Sequence, residues 1–504
     1  MERVVMDLQT FKLSHCEWQE RAASVRIEAR AFIDGRYVTA GSGRTFKTIN
    51  PATGQSLAEI AACDEHDVNR AVKAARKAFD SGSWSRAPRA HRKRVLLRLA
   101  ELLLQHKEEL AVLETLDMGK LVQDAVTLDI PASAEVFQWY AETCDKLYDE
   151  IAPTDENALA LITREPLGVV GAVVPWNFPL KMAAWKCAPA LAAGNSVILK
   201  PAEQSPLTAI RLAELAAEAG IPSGVLNVLP GLGPEAGKAI GLHPDIDCAA
   251  FTGSTEVGKL FLEYASRSNM KQVWLECGGK SANIIFPDCD VATAARFAAQ
   301  GIFFNQGEVC SANSRLLVHR TIKDELLDNL VQHAKSYMPG DPLDPDARMG
   351  ALVDEAHTQR VMGFIDEGKR SAELLFGGER VAVNGGGCFV MPTVFDNVAS
   401  EATIAQDEIF GPVLSVIPFD DEERATEIAN RSIYGLVASV WSNDITRAHR
   451  VARHLRVGSV SINTVDAVSV MTPFGGFKQS GTGRDLSLHA LEKYTALKTT
   501  WVSL

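Results

Sequence analysis

The sequence predicts an α/β protein with more than one domain, in which buried parallel strands alternate with helices. The chain has 504 residues, more than the roughly 250–300 at which a single core stops growing. Its composition, 46% hydrophobic and 23% charged, is typical of a globular protein with a large core. From Leu167 onward, apolar β-branched runs alternate with alanine- and leucine-rich stretches. This is the pattern of a parallel sheet covered by helices on both faces.

The elements can be assigned in chain order. Residues 67–106 are rich in alanine, arginine and leucine, which predicts helices. The following strands are predicted at LGVVGAVVP, SVILKPA, GVLNVLPG and DCAAFTG, and the helices between them at MAAWKCAPALAAG, SPLTAIRLAELAAEAG and residues 235–242. A helix at VATAARFAAQGIF and a strand at RLLVHR resume the alternation, so a second α/β domain is expected from about residue 278 to 478. VNGGGCFVMPTVF predicts a glycine loop leading into a strand, and the β-like C-terminal segment needs a sheet to join.

Composition excludes several classes of function. The formal net charge of -12 argues against nucleic acid as a partner, which would require a basic surface. No stretch approaches the ~18–20 apolar residues of a membrane helix, and the N-terminal segment does not resemble a signal peptide. The nine cysteines are odd in number and widely spread, without the spacing of a zinc site. We therefore expect a cytoplasmic protein with reduced thiols, no membrane partner and no metal.

Two glycine-containing segments resemble nucleotide-binding motifs without matching them. GSTEVGK, residues 253–259, fits a P-loop until Leu260, where the Mg²⁺-binding hydroxyl is missing. The backbone amides at the start of the helix after the DCAAFTG strand can still bind a phosphate. PGLGPEAG is spaced GxGxxxG, one residue longer than the dinucleotide fingerprint. Any dinucleotide site here is therefore an unusual one.

Polar residues follow several predicted strands, where ligands bind in parallel sheets. Lys200 and Glu203 lie in KPAEQSP; a carboxylate there can accept the ribose hydroxyls of an adenosine and repel a 2′-phosphate. Glu276, in LECGGKS, is a candidate general base because apolar surroundings raise a carboxyl pKa. Asn177, in PWNFP, can donate to an oxyanion. Taken singly, each is also consistent with an ordinary loop residue.

Cys310, at the end of FNQGEVC, is the candidate nucleophile. It follows a small polar segment, whereas Cys187 and Cys248 lie in apolar helix or strand segments. A reactive thiol needs exposure and suitable neighbouring charges. The segment alone does not decide between packing and chemistry.

Seven motifs in order resemble the signature set of the NAD(P)-dependent aldehyde dehydrogenase superfamily. They are PWNFP, KPAEQSP, FTGSTEVGK, LECGGKS, NQGEVC, DEIFGPV and PFGGFKQSGTGR. The resemblance implies an aldehyde dehydrogenase-like fold in three parts. A Rossmann-like coenzyme domain takes residues 1–142 and 166–277, and an α/β catalytic domain takes 278–478. A small β oligomerisation unit combines 143–165 with 479–504, which implies a homodimer or homotetramer.

The resemblance also implies a mechanism. Cys310 would attack the aldehyde, Asn177 would hold the oxyanion, and Glu276 would activate the water that hydrolyses the thioester. The CoA-acylating branch of the family lacks this glutamate, so hydrolysis to the carboxylic acid is expected. NAD is expected rather than NADP; the implied contacts are Trp176, Lys200, Glu203, Gly253, Ser254, Glu408 and Phe410.

The longest shared stretches are similar to the bacterial branch that oxidises ω-amino or γ-glutamylamino aldehydes in polyamine breakdown. The implied substrate residues are Asp129, Phe178, Met182, Trp185 and Asp466. Asp129 could instead be a helix N-cap, and Phe178, Met182 and Trp185 could equally be core residues. The loop NTVDAVSVMTP lacks the aromatic and one of the acidic residues common in the branch, which leaves a broad-specificity aliphatic, aromatic or semialdehyde dehydrogenase as an alternative. A non-catalytic relative is disfavoured because nucleophile and base are both present.

A second departure concerns the subunit interface. Ala496 stands where relatives often have a glutamate that braces an arginine, so Arg484 is expected to lack that partner. Assembly is still expected, because the pairing strand is intact.

Overall fold

The structure is a computed structural model that describes residues 13–504. Residues 1–12, which begin the segment tested for a signal peptide, lie outside the described part. The described chain forms three sheets and two hairpins. None of the helices within residues 13–504 is both long and apolar enough to span a membrane.

The strands are numbered in chain order. They are β1 (Ala31–Ile33), β2 (Arg36–Val38), β3 (Thr45–Ile49), β4 (Ser56–Ala61), β5 (Glu150–Ala152), β6 (Ala158–Pro166), β7 (Val169–Val173), β8 (Ser196–Lys200), β9 (Leu226–Val228), β10 (Cys248–Thr252), β11 (Gln272–Glu276), β12 (Ala282–Ile285), β13 (Arg315–His319), β14 (Glu373–Phe376), β15 (Arg380–Val383), β16 (Gly386–Val390), β17 (Thr393–Asp396), β18 (Val413–Phe419), β19 (Val437–Trp441), β20 (Ser459–Ile462) and β21 (Thr495–Ser503).

The α-helices are numbered in the same way. They are α1 (His15–Ser24), α2 (Glu65–Ser81), α3 (Arg89–Gln105), α4 (Lys107–Met118), α5 (Val122–Asp124), α6 (Ile130–Thr143), α7 (Pro179–Ala193), α8 (Leu207–Ala219), α9 (Lys238–Leu242), α10 (Thr255–Ser266), α11 (Val291–Phe303), α12 (Lys323–Ala334), α13 (Glu355–Ser371), α14 (Thr403–Gln406), α15 (Glu422–Asn430) and α16 (Ile445–His454).

The first sheet has the strand order β11-β10-β7-β8-β9-β1-β2. The five strands from β11 to β9 are parallel, and β1 and β2 are antiparallel additions. β7, β8, β9 and β10 are buried along their whole length, as strands with helices on both faces must be. The predicted strands and the predicted helices at α7 and α8 are confirmed. α7 ends at Gly194, whose φ of 104° is the left-handed C-cap conformation that favours glycine.

The second sheet has the order β14-β17-β18-β13-β12-β19-β20. All its pairings are parallel except that of β14 with β17. The prediction of a loop at the glycine run before β17 is wrong at Gly386 and Gly387. These residues begin β16, which pairs with β15 as an antiparallel hairpin. Cross-strand hydrogen bonding overrides the weak strand propensity of glycine there.

The third sheet joins the C-terminal strand to the segment before β7. Its order is β21-β6-β5, and all its pairings are antiparallel. β21 pairs with β6 in continuous register from Thr495 opposite Pro166 to Ser503 opposite Ala158. Nearly the whole of β21 is exposed. The terminal strand therefore has the sheet that its sequence required.

Candidate active site

The predicted nucleophile and the residues predicted to act with it line one cavity of about 320 Å³. The cavity lies at the carboxyl ends of β7, β10 and β11, the edge of a parallel sheet where ligands bind. Its lining includes Trp176, Asn177, Phe178, Met182, Thr252, Gly253, Ser254, Glu276, Cys310, His357, Arg360, Glu408 and Phe410. The sequence separates these residues widely, and the fold brings them together.

The loop that presents Cys310 has a strained backbone. Directly after α11, Asn305, Gln306 and Gly307 have φ angles of 48°, 57° and 73°. The side chain of Gln306 accepts a hydrogen bond from the Gly350 N–H at 3.1 Å. Non-glycine residues adopt such angles only where their surroundings enforce them. Cys310 is therefore held by a loop that its surroundings fix in place.

Glu276 ends β11 and is buried, with neither carboxylate oxygen hydrogen-bonded. Burial raises its pKa to about 7, although the positive charge of Lys186 opposes the shift. Loss of hydration and the negative charge of Glu276 raise the pKa of the Cys310 thiol well above its usual range. The thiol is therefore protonated at neutral pH, and the carboxylate beside it is able to accept a proton near pH 7.

Asn177 follows β7 and is also buried. Its side-chain N–H donates to the Glu308 carbonyl at 2.9 Å, and its backbone carbonyl accepts from the Asn305 side chain at 3.3 Å. Both partners belong to the loop that carries Cys310. A side-chain amide has two N–H groups, so one remains for a ligand while the other fixes the side chain.

Glu408 and Phe410 form the wall of the cavity on the side of the second sheet. The Glu408 carboxylate accepts from the Gly279 N–H at 2.8 Å, and burial raises its pKa to about 7. Phe410 has a φ of 62°, and its ring packs edge-on against Trp176 with centroids 5.2 Å apart. These residues offer a carboxylate and a flat apolar surface to a ring-containing ligand.

The start of α10 faces the same cavity. Ser254 is its N-cap and accepts from the Val257 N–H at 3.2 Å, as expected for a phosphate-binding helix start. The hydroxyl of the buried Thr252 has no hydrogen-bond partner. Backbone N–H groups and an unpaired hydroxyl suit a ligand with phosphate and ribose oxygens.

Lys200 and Glu203 form a charged pair beside unfilled space. The buried Lys200 ammonium lies 3.5 Å from the Glu203 carboxylate. A Cβ on Gly233 would lie 3.9 Å from Glu203 Oε1, and one on Gly237 would lie 3.6 Å from Lys200 Cδ. The missing side chains leave room for a ligand beside the pair. The residues of this region therefore fit a nicotinamide dinucleotide, although Glu203 lines a different cavity from that of Cys310.

The predicted apolar substrate residues divide into two groups. Phe178 and Met182 line the cavity. Trp185 is buried and packs edge-on against Phe474, with ring centroids 5.3 Å apart, and it is not among the lining residues. The structure thus brings two of these three residues to the cavity.

Neither predicted acidic residue belongs to the cavity wall. Asp129 is buried and paired with the Lys120 ammonium at 2.5 Å, so it presents no free charge to a ligand. Asp129 does precede α6 at the N-cap position, but its backbone is helical and its side chain makes no capping hydrogen bond. The Asp466 carboxylate accepts from the Ser311 hydroxyl at 2.6 Å, which places it beside the neighbour of Cys310.

The sequence matches the aldehyde dehydrogenase family over residues 37–500. The chain belongs to the aldehyde dehydrogenase family. It is 53% identical to the NADP/NAD-dependent aldehyde dehydrogenase PuuC of Escherichia coli K12, over 97% of this chain and 98% of the relative. It is 48% identical to the aminoacetaldehyde dehydrogenase of Pseudomonas aeruginosa, over 97% of this chain and 99% of the relative.

Solved structures of the family match equally well. An indole-3-acetaldehyde dehydrogenase of P. syringae, bound to NAD+ and IAA, superposes with a TM-score of 0.97, 55% identity and coverage of 98% and 100% of the two chains. The gamma-glutamyl-gamma-aminobutyraldehyde dehydrogenase of Burkholderia cenocepacia superposes with a TM-score of 0.96 and is 56% identical, over 98% of this chain and 100% of that chain. The predicted family, fold and bacterial branch are confirmed.

Several residues near the centre of this aldehyde dehydrogenase were missed by the sequence prediction. Lys186 on α7 is paired with Asp485 at 2.5 Å, and its charge acts on Glu276. His357 Nε2 donates to the Phe410 carbonyl at 2.7 Å, and Arg360 donates to the Glu408 carbonyl at 2.7 Å. The available signal was Lys186 itself, one of two lysines in an otherwise apolar helix. The other contacts depend on tertiary structure.

Proposed function

We propose that this aldehyde dehydrogenase converts its substrate to a carboxylic acid through a thioester on Cys310, with a nicotinamide dinucleotide as oxidant. The observation that carries the proposal is the shared cavity of Cys310, Glu276 and Asn177, in which a buried carboxylate without hydrogen-bond partners lies beside a half-buried cysteine. Membership of the aldehyde dehydrogenase family supports the same chemistry.

In the proposed first half-reaction, Glu276 accepts the thiol proton of Cys310, directly or through water. The thiolate attacks the carbonyl carbon and forms a thiohemiacetal. The side-chain N–H of Asn177 and the backbone N–H of Cys310 donate to the developing oxyanion. Asn177 is suited to this because its position is already fixed by the loop that carries the nucleophile.

A bound nicotinamide dinucleotide would supply the acceptor for the hydride that leaves the thiohemiacetal carbon. We assign its binding to Trp176, Lys200, Glu203, Gly253, Ser254, Glu408 and Phe410. Glu203 supports NAD over NADP, because a carboxylate accepts ribose hydroxyls and repels a 2′-phosphate. The relative PuuC is named as NADP/NAD-dependent. The preference is therefore measured as the ratio of kcat/KM with NAD to kcat/KM with NADP.

Before the second half-reaction, Glu276 releases the thiol proton to solvent. It then removes a proton from water, which attacks the thioester carbon. The acid leaves and Cys310 recovers its proton. A carboxyl group with a pKa of about 7 suits both accepting and returning a proton near neutral pH. Glu276 therefore supports hydrolysis over transfer to CoA.

For the substrate we propose an ω-amino or γ-glutamylamino aldehyde. The support is the high identity to aminoacetaldehyde dehydrogenase and to gamma-glutamyl-gamma-aminobutyraldehyde dehydrogenase. An aromatic or aliphatic aldehyde is the second candidate, supported by the similarity to indole-3-acetaldehyde dehydrogenase and by Phe178 and Met182 in the cavity wall. Asp129 has no part in either proposal.

We also propose the domain division given by the resemblance, with β5, β6 and β21 as the subunit-pairing unit of a homodimer or homotetramer. The exposed C-terminal strand supports this assignment.

The test is NADH formation by the purified protein with a panel of these aldehydes, with NAD or NADP and without CoA. We expect NAD reduction together with equimolar free acid. A requirement for CoA, or the absence of turnover with every aldehyde class, would contradict the proposal.

A further inference from the structure

One lysine on the cavity helix carries a charge that the rest of the described chain does not balance. Lys181 lies in the first turn of α7, next to the cavity residues Phe178 and Met182. Its ammonium is 4.9 Å from the centroid of the Phe178 ring and 5.9 Å from that of Trp185. Within residues 13–504 it forms no ion pair and no hydrogen bond. The contacts of its ammonium in the described chain are therefore cation–π contacts with these two rings.

The neighbouring lysines differ in this respect. Lys120 also lies over Phe178, at 4.3 Å from the ring centroid, but it is paired with Asp129 at 2.5 Å and Glu114 at 3.2 Å. Lys186 is paired with Asp485. Of these three lysines, Lys181 is thus the one without an anionic partner in the described chain. Lys181 is not itself a lining residue of the cavity, but its ammonium lies over Phe178, which is one.

This charge affects which aldehyde tails the cavity accepts. The faces of aromatic rings attract cations, and ammonium groups of the protein already lie over Phe178. A substrate ammonium approaching this wall meets like charge, which is unfavourable where solvent is partly excluded. A carboxylate meets an ammonium that lacks a partner. The Asp466 carboxylate, predicted to meet the substrate, accepts a hydrogen bond from the Ser311 hydroxyl. It forms no ion pair with Lys181.

We propose that Lys181 is a specificity-determining residue that favours aldehydes with a carboxylate at the distal end of the tail over aldehydes ending in a free ammonium. The inference rests on the proposed function and narrows its substrate class. Among aminoaldehydes it favours those whose amine is masked as a γ-glutamyl amide, because the amide nitrogen is uncharged and the glutamyl end is a zwitterion, with a carboxylate beside its α-ammonium and no net positive charge.

The experiment compares three straight-chain aldehydes of matched length that end in a carboxylate, a methyl group or a trimethylammonium group. The trimethylammonium group cannot cyclise onto the aldehyde. For each enzyme, kcat/KM with NAD at low salt is normalised to the methyl-ended aldehyde, so that a general loss of activity cancels. The variants are Lys181→Met, Lys181→Gln and Lys181→Glu. The control is Lys73→Met, an exposed lysine of α2 away from the cavity.

We expect the wild type to prefer the carboxylate over the trimethylammonium aldehyde by about tenfold or more, and to lose much of this preference at high salt. Lys181→Met and Lys181→Gln should each lower the ratio about tenfold, and Lys181→Glu should invert it. Lys73→Met should keep the wild-type ratio.

The inference is overturned if the wild type prefers the trimethylammonium aldehyde, or if the Met and Gln variants keep the wild-type ratio. Either result, obtained with turnover of the methyl-ended aldehyde, leaves the proposed function intact. If the wild type oxidises none of the three aldehydes, the proposed function itself fails and this inference falls with it.

Discussion

At the scale of single residues, the environment of Glu276 defines the proposed chemistry. Burial raises its pKa to about 7, because loss of hydration outweighs the opposing positive charge of Lys186. The sequence motifs grouped Cys310, Glu276 and Asn177 in one site, and the structure places all three on one cavity. The apolar context of Glu276 predicted the direction of its pKa shift. The size of that shift and the raised pKa of the Cys310 thiol could not be predicted, because desolvation depends on the atoms that the fold packs around each group.

Glu276 should impose a pH dependence on the reaction. As a base it acts in the ionised form, which becomes dominant as pH rises through its raised pKa. We therefore expect kcat/KM to increase with pH and to level off above about 7. Glu276→Gln should remove this rise and lower turnover ~10²–10⁴-fold.

Glu408 provides the matched control, because burial raises its pKa to the same value of about 7. Glu408→Gln should keep the rise in kcat/KM even if its absolute activity is lower. If Glu408→Gln removes the rise and Glu276→Gln keeps it, the assignment of the base is wrong. The measurement is a pH–rate profile with saturating NAD for the three enzymes.

At the scale of elements, α7 connects the cavity to the C-terminal part of the chain. The start of the helix contributes Met182 to the cavity wall, next to Phe178. Further along, Lys186 bonds to the buried Asp485, which also bonds to Lys493 near the C-terminus. Lys186 and Asp485 are 299 positions apart. Their pairing could therefore not be predicted from local sequence, although helix α7 itself was predicted.

Asp485→Asn should destabilise the protein strongly. It would leave two buried lysines without their shared carboxylate, and breaking a buried ion pair costs ~3–5 kcal/mol. We expect a clearly lower urea midpoint of unfolding. The control is Asp420→Asn, which removes an exposed pair with Arg320 and should cost at most ~1 kcal/mol. Equal midpoints for the two variants would contradict a structural role for Asp485.

At the scale of the whole molecule, the third sheet ends at β21, whose outer edge pairs with no other strand of residues 13–504. β21 bonds to β6 on one side, and its exposed side chains include Leu497 and Trp501. Exposed strand edges with apolar side chains are sites of association. Arg484, which is predicted to lack a glutamate partner, donates to the carbonyls of Gly476 and Gly483 in its own chain.

We expect light scattering to give a dimer or tetramer. Leu497→Glu combined with Trp501→Glu should weaken assembly, because charge is placed on the apolar edge. Met270→Glu, at an exposed methionine outside this sheet, is the control and should leave the assembly unchanged. A wild-type monomer would contradict the proposed pairing unit.

The two large sheets differ in how far their strands can be predicted from sequence. Apolar β-branched runs predicted the four strands β7 to β10 of the first sheet, because strands buried on both faces need such residues. The strand order of the second sheet could not be predicted, since it depends on pairings between distant segments. Gly386 and Gly387 were missed as strand residues because their state depends on pairing with β15.

The most direct test of the central claim is mass spectrometry of the peptide that contains Cys310, after the enzyme is quenched in acid during turnover of NAD and an aldehyde. The quenched enzyme should carry the acyl group of the substrate on Cys310, and Cys310→Ala should form no NADH. NADH formation by Cys310→Ala, or an acyl group on a different cysteine, would contradict the claim.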